Sequence, residues 1–196
     1  LAAMIDAVYR DRITPPSVLT WQEEQTRFAF QNGQAVFMRN WPYAYALLQE
    51  PSSSVAGRFA VAPMPAGPGG RSTATLGGSV LAVNAHSDQP EDAYAFIEYL
   101  LQPEQMVERA RIAGEYPPRP SLYGTPELAA AVTVPLADML AIIERATPRP
   151  VTPVYSELSQ ILQVSLHRAL TRQQSPDEAL HEAATAMRAL LARTKL

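Results

Sequence analysis

Apolar side chains recur every three or four residues along much of the chain, which is the spacing of one face of an α-helix. One such stretch begins at Pro90 with two acidic residues, Glu91 and Asp92, which suit the positive end of a helix. The apolar residues Phe96, Ile97 and Leu100 follow them at helical spacing. The same spacing, combined with start and stop signals, predicts further helices over 1–12, 103–114, 126–146, 155–170 and 175–191. The pattern therefore predicts a fold that is rich in helix.

Proline and serine mark where two of these helices break or begin. Pro135 lies inside the pattern of 126–146 and should kink or split that helix, because proline lacks the amide hydrogen that a helix interior uses. Ser175 stands before a proline and two acidic residues, so its hydroxyl and the carboxylate of Glu178 can each accept a backbone amide of the first turn. The sequence therefore predicts a capping box at Ser175.

Three short apolar runs are predicted to be β-strands, over 35–38, 58–62 and 78–83. The third contains SVLAV, an apolar and branched run that is typical of a buried strand. The segment APMPAGPGGRSTAT between the last two is rich in glycine and proline and is predicted to be a loop. Strands among many helices make the expected fold class α/β, with a short central sheet flanked by helices.

Composition and charge exclude several classes of protein. The chain has 196 residues, of which 47% are hydrophobic, and this is enough to bury a core. No run of about 18 apolar residues is present, which argues against a membrane span. The net charge is only −3 and no basic cluster stands out, which argues against nucleic acid as a partner. The absence of cysteine excludes disulfides and thiol chemistry.

The residue types that bind metals or carry out catalysis do not form a known pattern. His86, His167 and His181 lie on separate elements, without another ligand at metal-binding spacing. The loop GPGGRST has Pro65 where a phosphate-binding loop needs its first glycine. In GGS, Leu81 takes the place of the final glycine of a nucleophile elbow. We therefore expect no metal, no cofactor and no hydrolase site.

Aromatic and backbone groups remain as candidates for ligand binding. Trp41 and Tyr43 flank a proline at a predicted helix start, and such rings suit the C–H faces of a sugar. Gly77 and Gly78 open the third predicted strand and would let a ligand approach the backbone closely. The run EYPPRPSLYG is a stiff loop in which Arg119 offers several hydrogen-bond donors. Each candidate also has a purely structural alternative: Trp41 could pack in the core, the two glycines could form a plain turn, and Arg119 could form a surface ion pair.

The order of these segments resembles the extracellular solute-binding proteins of sugar ABC transporters, of the maltose and trehalose type. FQNGQAVFMRNWPYAY, at 30–45, is similar to the family segment F-x-x-G-x-A-x-x-x-x-x-W. APMPAGPGG then leads to LGGSVLAVNAHSDQPEDAYAFIEYLLQPE, which contains the family pattern A-x-x-F-I at 93–97. The tail RPVTPVYSELSQILQVSLHRAL and SPDEAL is similar to the C-terminal helices of the family. The resemblance spans nearly the whole chain.

The resemblance implies a fold of two α/β lobes that close on a ligand, with 1–196 as a single C-terminal lobe and the N-terminal lobe and signal segment lying outside it. It implies a monomeric, non-enzymatic receptor, periplasmic or extracellular and anchored through the missing N-terminus. This receptor would deliver a maltose- or trehalose-like disaccharide, or a maltooligosaccharide, to the permease subunits in the membrane. The resemblance assigns ligand contact to Trp41, Tyr43, Gly77, Gly78 and Arg119 and, more weakly, to Ser79 and Tyr116.

Two other functions stay open on the sequence. A receptor for another solute, such as glycerol phosphate or a polyol derivative, would be favoured by a second basic residue beside Arg119. A glycan-acting enzyme would need two carboxylates that face each other roughly 5–10 Å apart. The paired acids of this chain instead stand near predicted helix starts, where carboxylates stabilise free amides.

Overall fold

The structure, a computed structural model that describes residues 1–194, consists of α-helices joined by turns and loops. In chain order the helices are α1 (Ala2–Tyr9), α2 (Glu23–Gln31), α3 (Ala44–Leu48), α4 (Pro90–Leu100), α5 (Pro103–Ala113), α6 (Pro126–Ala131), α7 (Leu136–Glu144), α8 (Tyr155–Leu170) and α9 (Pro176–Arg193). Two 3-10 helices cover Pro16–Thr20 and Pro120–Gly124. The chain divides into two compact units, one made of residues 1–26 with the chain from Pro150 onward, and the other of Arg27–Arg149.

The helix predictions are confirmed, including the break at Pro135. The predicted helix over 126–146 is divided into α6, which ends at Ala131, and α7, which begins at Leu136 directly after the proline. Gly114 ends α5 in the left-handed conformation, with φ of 66°, which glycine adopts without strain. The 3-10 helices were not expected from the sequence, because each is a short turn without a periodic apolar face.

The first unit is held together by α8 and α9, the pair of helices with the most extensive contact in the described chain. Ala169 of α8 and Ala179 of α9 are fully buried, and small side chains let the two backbones approach closely. The predicted capping box begins α9: the amide of Glu178 donates to Ser175 Oγ at 3.3 Å, and the amide of Ser175 donates to Glu178 Oε2 at 3.1 Å. This prediction is confirmed.

The core of the second unit forms around α5 and α6. Met106 and Ala110 of α5 pack with Leu122 and with Leu128 of α6, which is the most buried member of this cluster. Thr125 accepts the amide of Leu128 at 3.4 Å and so caps α6. The cap fixes the start of α6 beside the core cluster.

The three predicted strands are not formed within residues 1–194. The segments 35–38, 58–62 and 78–83 have no strand structure, and Phe37 and Val80 are 91% and 94% exposed. The one β-bridge recorded for the described residues is parallel and joins Thr75 to Thr147. A strand exists only where neighbouring backbone pairs with it, and the described residues place no second strand beside these runs. The helix-rich part of the predicted fold class is therefore confirmed, and the short central sheet is not.

Candidate ligand-binding site

Trp41 and Gly77 are far apart in the sequence and in contact in the structure. A Cβ placed on Gly77 would lie 2.6 Å from Cζ3 and 2.8 Å from Cη2 of the Trp41 ring. Real Cβ atoms essentially never approach another heavy atom to less than 3.0 Å. The indole therefore occupies the space that any other side chain at position 77 would need, and the fold brings together two of the predicted binding residues.

The backbone on both sides of Trp41 is fixed by local hydrogen bonds. The amide of Trp41 donates to Asn40 Oδ1 at 2.7 Å, and its carbonyl oxygen accepts from the amide of Ala44 at 3.2 Å. The second bond closes a turn that contains Pro42 and leads directly into α3. The predicted helix start is confirmed, although α3 begins two residues after the proline rather than at it. The turn leaves the side chains of Trp41 and Tyr43 only partly buried.

Gly114 packs against the beginning of α3 and brings the next loop close to Tyr43. A Cβ on Gly114 would lie 3.1 Å from Cβ of Ala46 and 3.4 Å from the carbonyl oxygen of Tyr43. The loop that follows contains Tyr116, which is half-buried. The end of α5 and the start of α3 therefore position a second pair of predicted residues, Tyr43 and Tyr116, in neighbouring segments.

Tyr116 belongs to a group of three tyrosines that sequence reasoning identified only in part. Burial raises the pKa of Tyr116 to about 12, and the nearby hydroxyls of Tyr123 and Tyr45 add to the rise. Its hydroxyl is therefore protonated at neutral pH and can donate a hydrogen bond. Tyr45 accepts from Gln49 Nε2 at 3.1 Å, and its ring packs on Phe59 with centroids 5.0 Å apart.

Tyr45, Phe59 and Tyr123 support the site and were not predicted as part of it. The sequence signal for Tyr45 is its place in the motif WPYAY, two residues after Tyr43. Phe59 lies in a segment predicted to be a strand, and no local signal pairs it with α3. Such contacts between distant segments depend on the tertiary fold rather than on the local pattern.

The remaining predicted residues are exposed. Gly78 and Ser79 follow Gly77 directly, and a Cβ on Gly78 would meet no atom within 4 Å. Arg119 is exposed at the start of the 3-10 helix Pro120–Gly124. The close approaches at the two glycines join Trp41 to Gly77 and Tyr43 to Gly114.

Two arginines of α5 are paired with acidic side chains. Glu115, next to Tyr116, accepts from Arg109 Nε at 3.1 Å. Glu108 accepts from Arg111 Nε at 3.0 Å. Across residues 1–194, no three acidic, histidine or cysteine side chains lie close enough to hold a metal ion. In the same residues, every helix falls short of the length or the apolar character that a bilayer crossing demands.

The sequence of residues 1–135 matches the family described as bacterial extracellular solute-binding protein. The chain belongs to that family. Extracellular solute-binding proteins bind their solutes and do not transform them, so family membership agrees with the prediction of a non-enzymatic receptor. The resemblance found in the sequence is thereby confirmed at the level of the family.

This solute-binding protein has relatives that carry individual names, one in sequence and two among solved structures. A probable ABC transporter-binding protein of Deinococcus radiodurans is 38% identical over 169 residues. Maltose-bound MalE3 of T. maritima is 41% identical with a TM-score of 0.91, and 97% of the present chain is covered. The sugar-binding protein MalE of Xanthomonas citri is 26% identical with a TM-score of 0.72. The chain spans about half the length of these proteins: 40%, 49% and 47%, respectively.

Proposed function

We propose that this solute-binding protein binds a maltose- or trehalose-like disaccharide, or a maltooligosaccharide, for delivery to the membrane subunits of an ABC transporter. The observation that carries the proposal is the partly exposed Trp41 ring held against Gly77. The likeness to maltose-bound MalE3, with a TM-score of 0.91, supports it. An aromatic ring in this state suits a sugar, because the C–H faces of a sugar ring pack on an apolar surface.

The other candidate residues supply the polar part of such a site. The protonated hydroxyl of Tyr116 can donate a hydrogen bond. Tyr43, two residues after Trp41 in the sequence, supplies a second aromatic ring. The exposed backbone at Gly77, Gly78 and Ser79 can offer amides to sugar hydroxyls. Arg119 adds a planar group with several donors, which suits adjacent hydroxyls.

A phosphate-bearing solute is the alternative with less support. Such a ligand would need a second cation beside Arg119. The preceding arginines along the chain, Arg109 and Arg111, already pair with Glu115 and Glu108. A glycan-acting enzyme has less support still, because the family consists of binding proteins.

The setting of this activity is part of the proposal, and the family supports a place outside the cytoplasm. The protein acts outside the cytoplasm, in the periplasm or at the cell surface, as a monomer that an N-terminal segment anchors. Residues 1–196 contribute one C-terminal lobe, and the rest of the receptor contributes the other side of the ligand site. The relatives, which are about twice as long as this chain, support that division.

A thermal-shift panel tests the proposal. If the whole receptor binds near micromolar and the lobes share the contacts equally, one lobe retains about −4 kcal/mol, or roughly millimolar affinity. Maltose, trehalose and maltotriose at about 100 mM should then stabilise the chain by about 2.7 kcal/mol. Sucrose at the same concentration controls for the general effect of sugars on stability. Glycerol phosphate is included in the panel. The proposal is contradicted if only glycerol phosphate stabilises the chain, or if no sugar stabilises it more than sucrose does.

A further inference from the structure

We infer that Gly77 acts on ligand binding through Trp41, because the missing side chain at position 77 leaves the space in which the indole lies. Gly77 is then a positioning residue that determines where the stacking ring is presented. The inference rests on the proposed sugar binding. It adds that Gly77 sets the affinity of Trp41 for the sugar by determining where the ring lies.

Among the nine glycines of the chain, Gly77 has the closest neighbour. Its Cβ would lie 2.6 Å from Trp41 Cζ3, whereas the next closest approach is 3.1 Å, from Gly114 to Ala46. Six others, Gly33, Gly57, Gly67, Gly69, Gly78 and Gly124, would meet no atom within 4 Å. The contact at Gly77 is therefore a specific feature of this position.

The need for glycine at position 77 is one of space and not of backbone conformation. Five glycines of the chain have positive φ, and Gly77 is not among them. An L-amino acid can adopt the backbone conformation of Gly77, so an alanine there would be opposed by the Trp41 ring alone. A substitution at this position consequently reports on the ring.

A methyl group at position 77 must be accommodated by the Trp41 side chain. The backbone of Trp41 is held by Asn40 Oδ1 at 2.7 Å on its amide and by the Ala44 amide at 3.2 Å on its carbonyl. The close atoms Cζ3, Cη2 and Cε3 all belong to the six-membered ring. With the backbone fixed, rotation of the side chain relieves the overlap and turns the ring away from its present direction.

The consequence should fall on binding more than on folding. Gly77 is exposed and Trp41 is only partly buried, and neither belongs to the core cluster around Leu128. Movement of the ring therefore removes little buried contact from the core. It does change the surface that a sugar would meet.

Trp41 itself can report its position, since the chain has only one other tryptophan. In a Trp21→Phe parent, the emission of Trp41 is recorded during maltose titration, with and without Gly77→Ala. We expect Gly77→Ala to shift the emission maximum and to weaken maltose binding at least about fivefold, a fraction of what stacking on an aromatic ring contributes. Gly67→Ala is the matched control, because it adds the same methyl group in open space at a residue without positive φ. It should change neither quantity.

A second substitution separates an effect through the ring from a direct effect of position 77. Trp41→Phe removes the six-membered ring of the indole that lies against Gly77, so adding Gly77→Ala to it should cause no further loss of maltose affinity, measured by calorimetry. The same background should restore folding if Gly77→Ala alone unfolds the chain. The inference would be overturned if Gly77→Ala weakened maltose binding equally with and without Trp41→Phe, or if Trp41→Phe failed to restore folding. It would also be overturned if Gly77→Ala left the maltose affinity unchanged in a parent that binds maltose. A parent that binds no sugar contradicts the proposed function instead, and an unshifted emission maximum in that parent would still count against the placement of the ring.

Discussion

Tyr123 donates its hydroxyl hydrogen to the carbonyl oxygen of Pro117 at 3.0 Å and so closes a loop that contains Arg119 and begins directly after Tyr116. Pro117 is buried, and Tyr123 packs against the core cluster formed by α5 and α6. Arg119 therefore lies on a loop that is joined to the core by a side chain as well as by its backbone, and Tyr116 lies directly before that loop. A loop fixed in this way presents its donors in one arrangement, which lowers the entropy cost of binding.

Removal of this hydrogen bond should destabilise the chain measurably. Tyr123→Phe leaves the partly enclosed carbonyl oxygen of Pro117 without its donor, and we expect a loss of about 1 kcal/mol in the free energy of unfolding. Urea unfolding gives the value. Tyr94→Phe is the control, because Tyr94 is exposed and its hydroxyl should contribute nothing measurable. Equal effects of the two substitutions would show that the bond to Pro117 does not stabilise the fold.

The raised pKa of Tyr116 predicts a loss of stability at alkaline pH. In the unfolded chain this hydroxyl ionises near its ordinary value of 10.0, whereas in the folded protein its pKa is about 12. Between these values the folded state holds more protons than the unfolded state, so the free energy of unfolding falls as pH rises. Tyr116→Phe should reduce that fall, and tyrosinate absorbance should show one fewer late-titrating hydroxyl. An identical pH dependence in the two proteins would contradict the burial of Tyr116.

The capping box of α9 makes a prediction for acidic pH. Ser175→Ala should cost about 1 kcal/mol of stability, because the amide of Glu178 loses its acceptor. Ser156→Ala, at an exposed position in the first turn of α8, serves as the control. Hydrogen bonds from Ser175 lower the pKa of Glu178, so its contribution is complete above the unfolded-state value of 4.5 and is lost as pH falls through the folded-state value. Glu178→Gln should be less sensitive to acid than the parent, and equal sensitivity would rule out this contribution.

Leu128 and Leu81 provide a matched comparison between the observed core and a segment that the sequence predicts to be buried. Leu128 is 0% exposed and Leu81 is 48% exposed. Leu128→Ala should cost about 2–5 kcal/mol through lost burial and the cavity left behind, whereas Leu81→Ala should stay within about 0.5 kcal/mol. Denaturant unfolding of both variants checks the assignment. A large loss for Leu81→Ala would mean that 78–83 packs as a buried strand after all.

Sequence reasoning located the helices because their signals are local. Proline at 135, the Ser175–Glu178 pair and the glycine at 114 each fix a helix end through their own chemistry, and the structure has all three ends where the sequence placed them. The strand predictions were wrong because a strand depends on more than local signals. An apolar run such as SVLAV shows only that its side chains favour burial, while a strand also requires a hydrogen-bonding neighbour that the run itself does not encode.

The sequence indicated residue types for the candidate site, whose role in binding stays a prediction, but it could not indicate the contacts among them. The motif around Trp41 and the glycine pair indicated an aromatic ring and accessible backbone, and the fold brings Trp41 against Gly77. The packing of Tyr45 on Phe59 and the bond from Tyr123 to Pro117 join segments whose pairing depends on the whole unit. No local periodicity specifies such pairs.

The role of Trp41 as a sugar-stacking ring is the central claim, and saturation-transfer NMR tests it most directly. Irradiation of the protein should transfer saturation to the C–H protons of maltose, since stacking brings them into van der Waals contact with the ring. Trp41→Ala should remove most of this transfer and weaken maltose binding by about 1–3 kcal/mol, with base stacking on aromatic side chains as the calibrated analogue. Truncation of a core tryptophan costs about 3–5 kcal/mol of stability, and the free energy of unfolding of Trp41→Ala should change by less than that. Equal saturation transfer in the two proteins, or a loss of stability in the core range with unchanged maltose affinity, would contradict the account.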